Sequence, residues 1–359
     1  MKNLIRFFID NIPVEAQKGE SIWSVAKRYG TTLPHLCHAD KPGYRADGNC
    51  RACMVSIEGE RVLAASCIRQ PSEGIKVFTK DERSSKSREM VIEMLVTDQP
   101  KREISHDPDS HFWQMADKVN VKKSRFDRKN PEIIPEADNS HVAMSVNLDA
   151  CINCNLCVRA CREVQVNDVI GMGNRGHTSK VIFDFNDPMG DSTCVSCGEC
   201  VQACPTGALM ESNLLDEKGK KVVKPDRKVD SLCPYCGVGC QLTYNIKNEK
   251  IVSVDGRDGP ANNNRLCVKG RFGFDYIHNP ERITKPLIRK DGVPKNPKER
   301  VDPLNPLSHF REATWEEALD LAAKKLTKIR DSKNGKRALA GFGCAKGSNE
   351  EAYLFQKLV

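Results

Sequence analysis

A chain of 359 residues with 39% apolar content is too long for one ordinary domain and suits two to four modest cores. Its seventeen cysteines stand in tight groups, which favours metal binding in a reducing compartment over a disulfide framework. No stretch approaches the roughly 18 uninterrupted apolar residues of a membrane-spanning helix, and the formal charge of +8 is spread along the chain without an RNA-binding or helix-turn-helix pattern, which argues against nucleic acid as a partner.

The opening MKNLIRFFIDNIPVE alternates like a strand rather than forming an apolar leader, so a soluble, cytoplasmic protein is expected. Residues 1–80 read as short strands around one helix. LIRFFID and PVEAQ pair as a hairpin, and Ser21 caps a helix that runs to Tyr29 and is stopped by Gly30. MVSIEGERVLAASC forms a second hairpin turning at Glu58-Gly59-Glu60, and GIKVFTK is the final strand. Within this module Cys37, Cys50, Cys53 and Cys67 are spaced C-x12-C-x2-C-x13-C, with Gly43 and Gly48 in the loop. Four such thiolates suit zinc or a [2Fe–2S] centre. Residues 81–140 predict a helix over roughly Ser85 to Val96 and then a polar, proline-punctuated linker from Thr97 to Ser140. His106, His111 and His141 read as surface or packing residues.

Residues 141–216 contain an internal repeat, CINCNLCVRAC at 151–161 and CVSCGECVQACP at 194–205. Each is C-x2-C-x2-C-x3-C, the run of two-cluster bacterial ferredoxins, in which the fourth cysteine of one run serves the other cluster. That pattern assigns Cys151, Cys154, Cys157 and Cys204 to one [4Fe–4S] cluster and Cys194, Cys197, Cys200 and Cys161 to a second. The first run is followed by Arg162 where the second has Pro205. Between them GMGNRG places Gly171, Gly173 and Gly176 at dinucleotide-loop spacing, but HTSKVIFDF after it reads as a strand where that loop needs a helix, so it is taken as a turn.

Residues 226–285 carry a third design, with Cys233, Cys236, Cys240 and Cys267 spaced C-x2-C-x3-C-x26-C around two strand-like segments, QLTYNIKN and KIVSVDG. From 286 the composition changes again. Thr314 and Glu317 form a capping box before WEEALDLAAKKLTKIR, ALAGFG reads as a strand, and Ser348 with Glu351 caps a last helix. This is the opening of a doubly wound α/β domain. GFGCAKG is a loose dinucleotide-like turn, and Cys344 has no partner set. The last helix carries no stop signal, so the sequence is expected to be a fragment of a longer subunit.

Residues 1–80 resemble the β-grasp [2Fe–2S] ferredoxin that opens the large iron–sulfur subunits of NADH dehydrogenase and related hydrogenases, which favours [2Fe–2S] over zinc. In that family a cluster held by one histidine and three cysteines follows; 81–140 has no cysteine, so that cluster is expected to be absent. SLCPYCGVGC with NNRLCVKGRFGFDY resembles the N-terminal cluster domain of the molybdopterin oxidoreductases, which implies a third [4Fe–4S] cluster and places Lys269 between cluster and pterin. The whole order, an α+β multidomain chain, resembles the alpha subunits of soluble NAD-dependent formate dehydrogenases. The resemblance implies one [2Fe–2S] and three [4Fe–4S] clusters, and a molybdenum or tungsten bis-molybdopterin guanine dinucleotide in the full subunit. It also implies formate as substrate, a flavin and iron–sulfur diaphorase partner, and no catalytic residue on this chain. A non-catalytic electron-transfer protein, or a subunit of another molybdopterin, NADH-dehydrogenase or hydrogenase-like complex, is the alternative. Sixteen ligand thiolates, offset by their cluster cores, would bring the basic excess to about zero.

Overall fold

The computed structural model describes residues 4–128, 134–296 and 298–359; residues 129–133 of the expected linker and residues 1–3 lie outside the described residues. The chain divides into two compact units. One is Met1–Leu232 with Cys240–Phe272, and the other is Cys233–Gly239 with Gly273–Val359.

In the first unit, β1 (Leu4–Ile9) and β2 (Ile12–Gln17) form the expected hairpin, with Ile9 opposite Ile12. Asp10 and Asn11 take φ of 49° and 65°, the left-handed pair that a two-residue turn requires. The side chain of Ser21 caps α1 (Ile22–Arg28) by accepting from the Ser24 amide, and Gly30 at φ 85° ends it. The strands β3 (Met54–Ile57), β4 (Ala64–Ala65) and β5 (Lys76–Phe78) complete a sheet of order β2-β1-β5-β3-β4, with β5 parallel to β1. Phe7, Val14, Ile22, Trp23, Val55 and Val77 fill the core between sheet and helix.

The second helix, α2 (Glu82–Thr97), starts three residues before the expected Ser85, because the Asp81 carboxylate accepts from the Ser84 amide at 3.1 Å. The linker expectation is corrected further on. α3 (His111–Lys118) buries Phe112, Trp113, Met115 and Ala116 against Ile92 and Val96 of α2 and against Leu36 and Ala52. Those four positions share one helical face, and the polar residues around it masked the pattern.

The repeat folds between β6 (Met144–Val146) and β9 (Leu209–Glu211), which pair antiparallel. Inside lie α4 (Leu156–Arg159), a π-helical turn at Ala160–Val164, the hairpin of β7 (Ile170–Gly173) and β8 (Lys180–Phe183), and α5 (Glu199–Ala203). GMGNRG is therefore only partly a turn. Gly171 and Gly173 belong to β7, and a Cβ at Gly173 would lie 2.8 Å from Ile182 across the pair. An antiparallel sheet follows, of β10 (Arg227–Leu232), β11 (Gln241–Lys247) and β12 (Lys250–Gly256), with α6 (Val268–Phe272) after it.

The second unit pairs β13 (Leu287–Arg289) with β14 (Phe310–Glu312) and carries α7 (Trp315–Arg330), α8 (Gly335–Ala338) and α9 (Asn349–Leu358). The Thr314 hydroxyl caps α7 through the Glu317 amide, but the Glu317 carboxylate pairs with Arg311 instead of closing the expected box. At α9 the box of Ser348 and Glu351 is complete. ALAGFG, expected as a strand, is the end of α8 followed by irregular chain. An isolated strand leaves its amides and carbonyls unpaired, and nothing in this segment supplies a neighbour. No side chain of α7 or α9 is buried.

Candidate iron–sulfur sites

The first cysteine set lies in the loops that flank β3 and β4. Cys37, Cys53 and Cys67 are buried and Cys50 is half-buried. The Cys37 thiol meets those of Cys50 and Cys67, and Cys53 meets Cys67. The Cys50 amide also donates to Cys37 Sγ at 3.5 Å. Hydrogen bonds from Cys50 and then Cys67 pull Cys37 down to about 2, and the bond from Cys67 brings Cys53 to about 7. Cys50 and Cys67 are pushed up in turn, since the charge they stabilise opposes their own ionisation. The four thiols thus stand within hydrogen-bond reach of one another, the grouping that a shared metal core would need. Gly48 sits at φ 63° with the space of a Cβ approached by the Ile68 side chain at 2.8 Å, which favours glycine in this turn.

The two repeat runs build two cavities. One is lined by Cys151, Cys154, Cys157 and Cys204, the other by Cys161, Cys194, Cys197 and Cys200. Each therefore draws three thiols from one run and the fourth from the other. Backbone amides point at the sulfurs: Asn153 N lies 3.4 Å from Cys151 Sγ, Ser196 N 3.3 Å from Cys194 Sγ, and Val169 N 3.3 Å from Cys161 Sγ. Burial pushes the Cys151 thiol up to about 11, and pushes Cys154, Cys157 and Cys200 further. Cys194 and Cys197 rise for the same reason. Dry walls that resist bare thiolates, with amides aimed at sulfur, suit ligands whose charge is neutralised by a bound core. Among the described residues no three His, Cys, Asp or Glu side chains converge on a point where one metal ion could sit. The thiols instead touch in pairs or ring a cavity.

The third set is distributed differently. Cys240 and Cys267 belong to the first unit, while Cys233 and Cys236 belong to the second, so neither unit alone brings the four together. Lys269 is exposed on α6, two residues beyond Cys267. In the second unit no side chain of α7 or α9 is buried.

The histidines of 81–141 pack. His106 bridges the Gly219 carbonyl at 2.9 Å and Asp149 at 2.7 Å. His111 reaches the His35 carbonyl, and His141 reaches the Ser196 hydroxyl, both at 2.9 Å. The sequence reading missed Arg159, Arg271 and Glu199, three charged side chains buried among the cysteine loops. Their position one or two residues from a ligand cysteine, or one turn after it, was the available signal.

A β-grasp module with four grouped thiols, joined to a repeat that rings two cavities with cysteine, defines an iron–sulfur electron-transfer architecture. Comparison with known proteins makes this specific. Residues 2–82 match the 2Fe-2S iron-sulfur cluster binding domain, 150–208 the 4Fe-4S dicluster domain, 226–279 the molybdopterin oxidoreductase Fe4S4 domain, and 282–359 the molybdopterin oxidoreductase family. The chain is thus built of molybdopterin oxidoreductase domains together with 2Fe-2S and 4Fe-4S domains. A Bacillus subtilis protein named as a probable oxidoreductase is 29% identical over 98% of this chain and 37% of its own length. A Staphylococcus haemolyticus protein whose name assigns it provisionally as a formate dehydrogenase is 28% identical over 98% of this chain and 37% of its own. A chain of an NAD+-reducing [NiFe]-hydrogenase in the H2-reduced state is similar at 25% identity with a TM-score of 0.51, over 58% of this chain and 87% of that one. The chain spans less than two fifths of the length of these curated relatives.

Proposed function

We propose that this chain is the electron-transferring part of a cytoplasmic formate dehydrogenase subunit. In the full subunit, formate is oxidised to carbon dioxide at a molybdenum or tungsten bis-pterin centre, and a flavin and iron–sulfur diaphorase partner reduces NAD+. The observation that carries this is the pair of four-cysteine cavities beside the four-thiol β-grasp loop. Iron–sulfur clusters bound at these sites would supply one-electron transfer, the chemistry that links a two-electron oxidation to a distant hydride acceptor.

In the β-grasp loop and the repeat, the protein's own contribution is to bury or half-bury the thiols and aim amides at their sulfurs. Cys37, Cys50, Cys53 and Cys67 would hold a [2Fe–2S] cluster, and the eight cysteines of the repeat two [4Fe–4S] clusters. Cys233, Cys236, Cys240 and Cys267 would hold the third [4Fe–4S] cluster, with Lys269 as the cation on its pterin side. Among the described residues no helix is long and apolar enough to cross a membrane.

Anaerobically purified chain should contain about 14 iron atoms and no zinc. Stoichiometric zinc with far less iron would overturn the proposal. The likeness to an NAD+-reducing hydrogenase chain favours one rival, a related NAD-linked complex with another electron donor. Formate-dependent NAD+ reduction by the full complex separates the two: reduction by hydrogen but not formate supports the rival.

A further inference from the structure

Two guanidinium groups are buried where cysteine-bearing segments meet. Arg159, between Cys157 and Cys161 in the first run, is 2% exposed. Its Nη2 donates to the carbonyl of Cys37 at 2.6 Å, its Nη1 donates to the Arg45 carbonyl, and its Nε pairs with Asp47 at 3.1 Å. Arg271, whose amide donates to the Cys267 carbonyl at 3.0 Å, is 1% exposed. Its Nε donates to the carbonyl of Cys197 at 3.3 Å, and Nη1 donates to Gln202 Oε1 at 2.5 Å and the Val254 carbonyl at 2.9 Å. Its Nη2 faces Glu199, also 1% exposed, at 3.4 Å, and the other Glu199 oxygen accepts from the Tyr44 hydroxyl at 2.8 Å.

The two junctions use one device. In each, an arginine from one cysteine-bearing segment donates to the backbone carbonyl of a cysteine in another set. Arginine suits this, because its planar fork offers five donors to several acceptors at once and its charge is permanent. The approach is close: a Cβ at Gly198, beside Cys197, would lie 2.9 Å from the Arg271 side chain. Ala160, the residue after Arg159, lies in the apolar core that packs Cys37 with Cys154.

We propose that Arg159 and Arg271 are positioning residues for electron transfer, which fix the separation of neighbouring cysteine sets and place a buried positive charge beside the loops of Cys37 and Cys197. The inference rests on the iron–sulfur reading above. A buried cation is weakly screened and stabilises the state that has gained an electron, so its removal lowers the reduction potential of the adjacent site. The paired carboxylates reinforce this effect, since each is left uncompensated when its arginine is removed.

The test uses anaerobically prepared, iron-loaded full chain with Arg159→Met, Arg159→Lys, Arg271→Met and Arg271→Lys. Iron content, midpoint potentials from spectroscopically monitored redox titration, and the magnetic interaction between reduced neighbouring clusters are measured on each. The Met variants should show a lower potential at the adjacent site and a weakened interaction. The Lys variants should recover the potential, because the charge remains, and recover the interaction less, because the fork is lost. A merely structural arginine would leave potentials unmoved in every iron-replete variant. Iron-replete Met variants with wild-type potentials and interactions overturn the proposal. Should the Met variants lose iron, the Lys variants decide: a changed interaction supports the proposal, and wild-type behaviour in both measurements overturns it. A wild-type chain that binds zinc in place of iron removes the iron–sulfur reading and this inference together.

Discussion

The runs at 151–161 and 194–204 share more than their spacing. Asn153 and Ser196 take φ of 53° and 55°, and Asn155 and Gly198 take 62° and 69°, so both runs turn through the left-handed region at the same two positions before their helices begin. What differs is the way each continues. In the second run Pro205 follows Cys204, α5 stops at Ala203, and the Pro205 carbonyl accepts from the Phe112 amide of α3 at 2.8 Å. In the first run Arg162 stands at that place, the helix carries on as a π turn to Val164, and Glu163 reaches Arg45 of the β-grasp loop at 2.9 Å. Ligand geometry sets the inner backbone of a run, whereas the neighbour it packs against sets its outer part.

The strongest way to break that comparison is to remove one ligand from each cavity. Cys157→Ser and Cys200→Ser should each cost about four iron atoms and spare the other cavity's signal; iron analysis with low-temperature spectroscopy checks this, and loss of all repeat iron from one substitution would show that the cavities do not load separately. Next in size, Arg162→Pro should destabilise by about 3 kcal/mol by interrupting the continuing helix. Pro205→Ala, where the helix has already ended, should change stability by less than about 1 kcal/mol, and denaturant midpoints of the loaded protein compare the two.

Gly198→Ala should cost about 2 kcal/mol, since it adds left-handed strain and a contact with Arg271. Asn155→Ala should cost about 1 kcal/mol from the left-handed backbone alone. Equal effects at the two sites would mean that Arg271 does not press on the second run.

The smallest effect concerns Glu211 on β9, the strand that ties the end of the second run to β6 before the first. Burial raises its carboxyl to about 7. A raised carboxyl pKa makes the fold favour the protonated form, so this contribution is complete below about pH 4.5 and is lost as pH rises through 7. Glu211→Gln should therefore raise the thermal midpoint at pH 8 and leave it unchanged at pH 4.5, as scanning calorimetry would show.

The grouping of the repeat thiols was legible because C-x2-C-x2-C-x3-C leaves the backbone few ways to bring sulfur together. Ser21, Gly30 and Thr314 were legible because helix caps are local chemistry. Other features depend on distant partners. The face of Phe112, Trp113, Met115 and Ala116 needs α2 to define it, and ALAGFG had strand composition but no strand to join. Arg159 and Arg271 take their roles from the carbonyls of Cys37 and Cys197, which are far away in sequence.

Cys37 and Tyr44 from the β-grasp module share a single apolar core with Cys154, Leu156, Ala160, Val164 and Ala203 from the repeat. The wall that shields one cysteine set is therefore also the wall of the next. A reagent that opens the β-grasp loop would therefore also loosen one wall of the cavity of Cys151, Cys154, Cys157 and Cys204.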